Sequence, residues 1–258
     1  MTVKNAIDEF LIEQQIRGNS KATVLYYSRC LGFFADFNGL SVRSIGSVTL
    51  SDCRAYSLHL KGRNIATTTL QTYIRALRAF LSWCYTEGYI SENITERFRL
   101  PKAQRKKIDV LTDEEIKRLF LTLDGRSFIQ IRNYCIVALM LDCGLRLNEV
   151  VTLRRDKIHI VEGYMIINGK GNKERFVPLG LNSKKALLRY VSLIPSSCTE
   201  TLLLVKDTLI PINQSTVKQL FRKLKTRSNI PRLRPHLLRH TFIQTQSAVK
   251  HKRNDTVI

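Results

Sequence analysis

Acidic side chains are scarce in this chain of 258 residues. Asp and Glu number 21 against 42 Lys and Arg, which leaves a formal charge of +21 and a pI near 10.0. A single-sign field of that size is costly unless a polyanion neutralises it, so composition points to nucleic acid as the partner. No run is long and apolar enough to span a bilayer, and the start, Met1-Thr2-Val3-Lys4-Asn5-Ala6, lacks a secretory apolar core. These absences predict a cytoplasmic, nucleoid-associated chain with no membrane partner. Six cysteines, Cys30, Cys53, Cys84, Cys135, Cys143 and Cys198, show no C-x-x-C spacing, which argues against a zinc framework. Most fall in apolar helical segments and are expected as reduced, buried thiols. A Walker loop, a clustered carboxylate set for two-metal nuclease chemistry and an internal repeat are all missing. No metal and no cofactor are expected.

The positive charge that is present is concentrated. Thr208 to Asn254 holds eleven Lys or Arg and no Asp or Glu, and Arg97 to Lys107 adds six more. Three short motifs stand out against this background. The first is Cys143-Gly144-Leu145-Arg146-Leu147-Asn148-Glu149-Val150, at the end of an apolar helical run from Tyr134 to Leu141. Gly144 can stop that helix in a left-handed conformation and aim Arg146 outward; Glu149 is expected to buttress an arginine. The second is Asn168-Gly169-Lys170-Gly171-Asn172-Lys173-Glu174-Arg175 between two β-prone runs, which reads as a hairpin with Lys170 at its tip. The third is Arg234-Pro235-His236-Leu237-Leu238-Arg239-His240-Thr241-Phe242. If a helix begins at His236, as Pro235 permits, His236 and Arg239 share a face at i, i+3.

Together these residue types suit attack on a phosphodiester. The transition state gathers negative charge on its non-bridging oxygens, and two guanidiniums offer planar, permanently charged donor forks to them. Arg146 and Arg239 are the candidate clamp. Lys170, on a hairpin tip, is the candidate general acid for the departing hydroxyl, and its pKa would need lowering by the neighbouring arginines. His236 is open to two readings, proton acceptor or hydrogen-bond donor to a phosphate oxygen.

Gly-Leu-Arg-x-x-Glu, then Gly-Lys-Gly-Asn-Lys-x-Arg-x-Val-Pro-Leu, then Pro-His-x-Leu-Arg-His resembles, in order and spacing, the phage-integrase or Xer-type tyrosine recombinases. The resemblance covers about residues 1 to 245. It implies a fold that is mainly α with a small antiparallel β-sheet, in the two-domain tyrosine recombinase architecture: a helical core-binding domain plus a DNA breaking-rejoining catalytic domain. It implies site-specific DNA strand exchange through a 3′-phosphotyrosine link, double-stranded DNA with inverted-repeat half-sites as partner, and self-association on that DNA.

The periodicity divides the chain accordingly. Residues 1–96 read as a helical DNA-binding domain of four helices, with turns at Gly18-Asn19-Ser20, Gly39 to Ser47 and Lys61-Gly62-Arg63-Asn64. In the fourth, Thr67 to Glu87, Leu70, Ile74, Leu77, Leu81 and Cys84 recur at helical spacing, while Gln71, Arg75, Arg78 and Ser82 share another side. That polar side, Arg75 and Arg78 above all, is either a DNA contact or an ordinary wet face. Residues 97–109 form a basic linker in which Lys102, Arg105, Lys106 and Lys107 are DNA-contact candidates; Lys173 and Arg175 on the hairpin join them. Residues 110–258 form the catalytic domain, opened by a capping box at Thr112 and Glu115, with helices near Ser183 to Ile194 and Asn213 to Arg227.

The end of the chain departs from the resemblance. The family pattern has a second histidine motif roughly two dozen residues after the arginine and a tyrosine about nine beyond it, whereas no tyrosine here follows Tyr190. His251 comes too early, and its basic surroundings predict a flexible tail. The expectation is an integrase-type chain that is C-terminally incomplete, binds DNA, is deficient in cleavage and is impaired in self-association. The alternatives are a non-catalytic regulatory protein derived from an integrase, or a nucleophile supplied by Tyr164 or Tyr190.

Overall fold

The structure, a computed structural model, describes residues 1–102, 109–169, 173–195, 202–203 and 210–254, the side chains of 248–254 excepted. The chain divides into two compact units, Met1–Lys106 and Lys107–Ile258.

The first unit is built on α1 (Val3–Ile16), α2 (Lys21–Asp36), α3 (Leu50–Gly62) and α4 (Thr67–Thr86). Thr2, Ser20 and Thr49 each cap a helix start through the side-chain oxygen, satisfying an amide that the helix itself leaves without a partner. The apolar stripe of α4 is buried as its spacing predicts, Leu70, Ile74, Leu77, Leu81 and Cys84 all facing inward. Phe10 of α1 closes that core edge-on against Phe80 at 5.6 Å and Tyr27 at 5.1 Å. The packed body runs on past residue 96. Phe98 is buried in the same core, and the Pro101 carbonyl accepts a hydrogen bond from Gln71 Nε2 at 2.7 Å. The polar side of α4 is therefore not uniform: Gln71 is engaged and Arg78 half-buried, while Arg75 and Ser82 are exposed.

The second unit wraps around α6 (Phe128–Asp142), whose core-facing residues, Ile131, Cys135, Ile136, Val137, Ala138, Leu139 and Met140, leave almost no wet stripe. Around it stand α5 (Asp113–Leu121), α7 (Leu147–Val151), α8 (Leu181–Val191), α9 (Gln214–Arg227) and α10 (Pro235–Asn254). Strands β1 (Ile158–His159), β2 (Tyr164–Asn168) and β3 (Glu174–Pro178) make one antiparallel sheet in that order. The fold is mainly α with a small antiparallel sheet. Asp142, at the end of α6, accepts from the Ser183 amide at 3.0 Å and so caps α8, whose own N-cap Gly180 has no side chain to do it.

One expectation changes. Where a flexible tail is predicted, the described residues continue as helix, α10 running unbroken to Asn254. Its stop signals are absent: no glycine or proline follows Pro235. Cys30, Cys53, Cys84, Cys135 and Cys143 are free and buried, as expected, and Cys198 lies outside the described residues. Among the described residues no helix is long and apolar enough to cross a membrane, and no cluster of His, Cys, Asp or Glu could hold a metal ion.

Candidate active site

The site is built on the sharp turn between α6 and α7. Gly144 ends α6 at φ +64°, the left-handed region where a side chain is strained. Space forbids a side chain too, since a Cβ there would lie 2.3 Å from the Phe242 ring of α10. Arg146 follows as the N-cap of α7, and Glu149, three residues on, reaches back to it: Glu149 Oε2 accepts from the Arg146 amide at 2.8 Å and Oε1 from Arg146 Nη1 at 2.9 Å. The cap geometry turns the Arg146 side chain outward, half exposed beside a carboxylate that is only 5% exposed.

The hairpin brings in a second guanidinium. Arg175 of β3 pairs in register with Ile167 of β2, which places it on the buried face of the sheet. From there it grips Glu149 with both Nη atoms, 2.8 Å to each carboxylate oxygen. Burial alone would push the Glu149 carboxyl up, but the hydrogen bonds from Arg175 and Arg146 outweigh it and hold the group down at about 2. The same bond raises Arg175 above the ordinary arginine value. Arg175, expected as a DNA contact, has its donor fork occupied by Glu149. Lys170 lies outside the described residues, and Lys173 is exposed at the base of the turn, where its carbonyl accepts from the Gly169 amide at 2.8 Å.

The third guanidinium comes from α10. Arg239 Nη1 donates to the Gly144 carbonyl, so the helix that presses Phe242 onto Gly144 also ties its arginine to the same residue. Partial burial, and then the nearby charge of Arg146, lower the Arg239 pKa. His236 stands exposed one turn earlier on the same helix. Arg146, Arg175 and Arg239 thus surround one carboxylate, and that leaves an excess of two positive charges at a partly open surface, suited to an anion.

Other predicted residues fall elsewhere. Arg75 and Lys102 are exposed on the first unit and Arg78 is half-buried; Arg105, Lys106 and Lys107 lie outside the described residues. Neither alternative nucleophile is placed for the task. Tyr190 is fully buried, with its ring 5.6 Å from Phe128. Tyr164 stacks on His159 at 4.5 Å on the sheet face opposite Arg175. Motif reading missed the exposed face of α9, where Lys218, Arg222, Lys223, Lys225 and Arg227 project from a helix without a single carboxylate. The acid-free run from Thr208 was its signal, and helical spacing would have sorted that run into one wet cationic side.

Residues 109–245 match the family model described as the phage integrase family, and residues 7–88 match the phage integrase N-terminal SAM-like domain. The chain is 30% identical to tyrosine recombinase XerC of Oceanobacillus iheyensis over 92% of this chain and 80% of that protein. It is 28% identical to tyrosine recombinase XerD of Halalkalibacterium halodurans over 93% and 83%. Among solved structures it is similar to the Tn1549 transposon integrase in complex with circular intermediate DNA, with a TM-score of 0.76, 20% identity and coverage of 96% and 88%. It is also similar to a lambda integrase dimer bound to a core site, with a TM-score of 0.74, 18% identity and coverage of 95% and 89%.

Proposed function

This chain belongs to the phage integrase family, the tyrosine recombinases, and on that premise we propose that it binds duplex DNA at inverted-repeat half-sites and presents a phosphoryl-transfer site to one phosphodiester. The observation that carries the reading is that Arg239 donates to the carbonyl of Gly144, two residues before Arg146 and close enough for the two charges to act on each other, while Glu149, gripped by Arg175, fixes Arg146. Arg146 and Arg239 act as the clamp on the non-bridging oxygens. Lys170 is the proposed donor of a proton to a departing 5′ oxygen, and His236 the proposed group that bonds the phosphate or accepts a proton. No cofactor is expected, because in the family's reaction a phosphotyrosine link conserves the energy of the broken bond.

Sequence-general affinity comes from cations that neutralise phosphates: Arg75, Arg78, Lys102, Arg105, Lys106, Lys107 and Lys173, together with the wet face of α9. The first unit is the core-binding domain and the second the catalytic one, in a cytoplasmic chain that works at the nucleoid and in the setting of a mobile element.

The 258 residues contain the clamp but no tyrosine beyond Tyr190, and neither Tyr164 nor Tyr190 is at the clamp. Covalent attack needs the hydroxyl in line with phosphorus. These 258 residues by themselves are therefore proposed to bind DNA without cutting it, whatever residues a longer polypeptide adds. The test is a duplex selected for binding and nicked beside each candidate crossover phosphate, so that any covalent intermediate is trapped. Nuclease protection of two half-sites without a denaturation-resistant, protease-sensitive adduct is the expected result. An adduct would refute the cleavage deficiency, and absence of protection would refute the DNA site.

A further inference from the structure

The segment that opens the second unit is fastened at two places, to α10 and to the turn just ahead of it. The buried Leu111 amide donates to Thr241 Oγ1 at 3.0 Å, and the same hydroxyl donates to the Leu237 carbonyl, one turn back in its own helix, at 2.9 Å. Just ahead of α10, Arg232 holds Glu115 with both Nη atoms at 2.5 and 2.7 Å and donates to the Val110 carbonyl at 3.1 Å; its Nε lies 2.7 Å from the Asp109 carboxylate. Glu115 in turn accepts from the Thr112 amide at 2.9 Å as part of the cap of α5.

Thr241 is 4% exposed, and a buried hydroxyl costs stability unless its bonds are made. Here both are made, and one partner is 130 residues away. The bond to Leu111 sets how far α10 lies along its axis and how it is rotated. Two residues earlier on the helix Arg239 reaches Gly144, and one residue later Phe242 meets the same glycine. The helix is thus held on one side by the glycine that it presses and on the other by the segment 109–112, with Arg239 between.

We propose that Thr241 and Arg232 are positioning residues for the anion clamp: through them the chain leading into the second unit sets the place of Arg239 and His236. The proposal rests on the reading of Arg146 and Arg239 as the phosphate clamp. It gives Thr241 a task that valine, nearly identical in shape, would not perform, and that serine would.

The experiment titrates inorganic phosphate into the full chain and follows the guanidinium Nε–H NMR signals of Arg146 and Arg239, assigned with Arg146→Lys and Arg239→Lys. In the wild type both signals are expected to move together and to give one affinity. Thr241→Ser should reproduce it. Thr241→Val, its folding checked by the amide spectrum, should bind about ten-fold more weakly and uncouple the Arg239 signal, because a displacement of about 1 Å is enough to degrade such a site. If Thr241→Val does not fold, Arg232→Lys, which keeps the charge and loses the fork, carries the same expectation. Phosphate affinity and signals in folded Thr241→Val equal to those of the wild type would overturn the proposal. A wild type in which neither arginine responds would overturn the clamp itself, and the proposal with it.

Discussion

Arg175 holds Glu149 by two parallel hydrogen bonds of 2.8 Å, and the same carboxylate carries the amide and guanidinium of Arg146. The carboxylate is almost fully buried, yet Arg146 is half exposed. Glu149 therefore works as a rigid post. It spends Arg175 to stay ionised and uses its remaining lone pairs to aim Arg146, which leaves the outer donors of Arg146 for an anion.

Removing the post's main support should be felt in stability before anything else. Arg175→Ala leaves a buried carboxylate with one guanidinium in place of two, and a cost of about 2 kcal/mol is expected, below that of a fully buried pair because Arg175 is partly exposed. Urea denaturation measures it. A loss under half that size would mean that Arg146 alone satisfies Glu149.

The pH dependence follows from the same carboxylate. Its pKa is about 2 in the folded chain, below the ordinary glutamate value near 4.3 that the unfolded chain has. A group with a depressed folded pKa contributes its full stability above the unfolded value and loses it as pH falls through the folded one. Stability should thus decline between about pH 4.3 and pH 2. Glu149→Gln, compared by thermal melts across that range, should show a shallower acid limb and a lower plateau at neutral pH. Parallel acid limbs in the two chains would assign the decline to other carboxylates.

Much of this site was legible because its signals are local. Gly144 before Arg146, Glu149 three residues into the next helix and Pro235 at the start of α10 are cap and turn chemistry, which acts over three or four residues. The apolar stripe of α4 was equally readable. The pairing of Arg175 with Glu149 was harder, because it spans 26 residues and depends on strand register. Alternation offered a hint, since Arg175 and Val177 must share a face. Thr241 with Leu111, and Phe242 on Gly144, carry no linear signal at all. The run of α10 to Asn254 is hidden in the sequence because its basic composition resembles a solvated tail, although nothing in it breaks a helix.

Gly144 should be nearly irreplaceable. Gly144→Ala meets a left-handed backbone, costing about 1–2 kcal/mol, and the Phe242 ring, where overpacking adds about 1–3 kcal/mol. A total near 3 kcal/mol is expected by denaturant unfolding. Phe242→Ala on its own also destabilises, by opening a gap over the turn. In the double variant the clash is gone, so its loss should fall short of the sum by about 1 kcal/mol. Strict additivity would mean that the ring swings aside freely and does not hold the turn.

The wet face of α9 makes the strongest electrostatic prediction. Lys218 and Arg222 stand one turn apart on a helix that has no carboxylate of its own, so neither charge is neutralised within the helix. If each meets a phosphate, Lys218→Gln with Arg222→Gln should reduce the slope of log affinity against log salt by about 2 and weaken binding to all duplexes alike. If one of them instead reads a base edge, the slope falls by about 1 and discrimination between the selected site and random DNA falls with it. Fluorescence anisotropy at several salt concentrations, on selected and scrambled duplexes, separates the two. An unchanged slope on both would show that α9 faces solvent in the complex, and the cations that hold DNA would then have to be sought on the hairpin and the first unit.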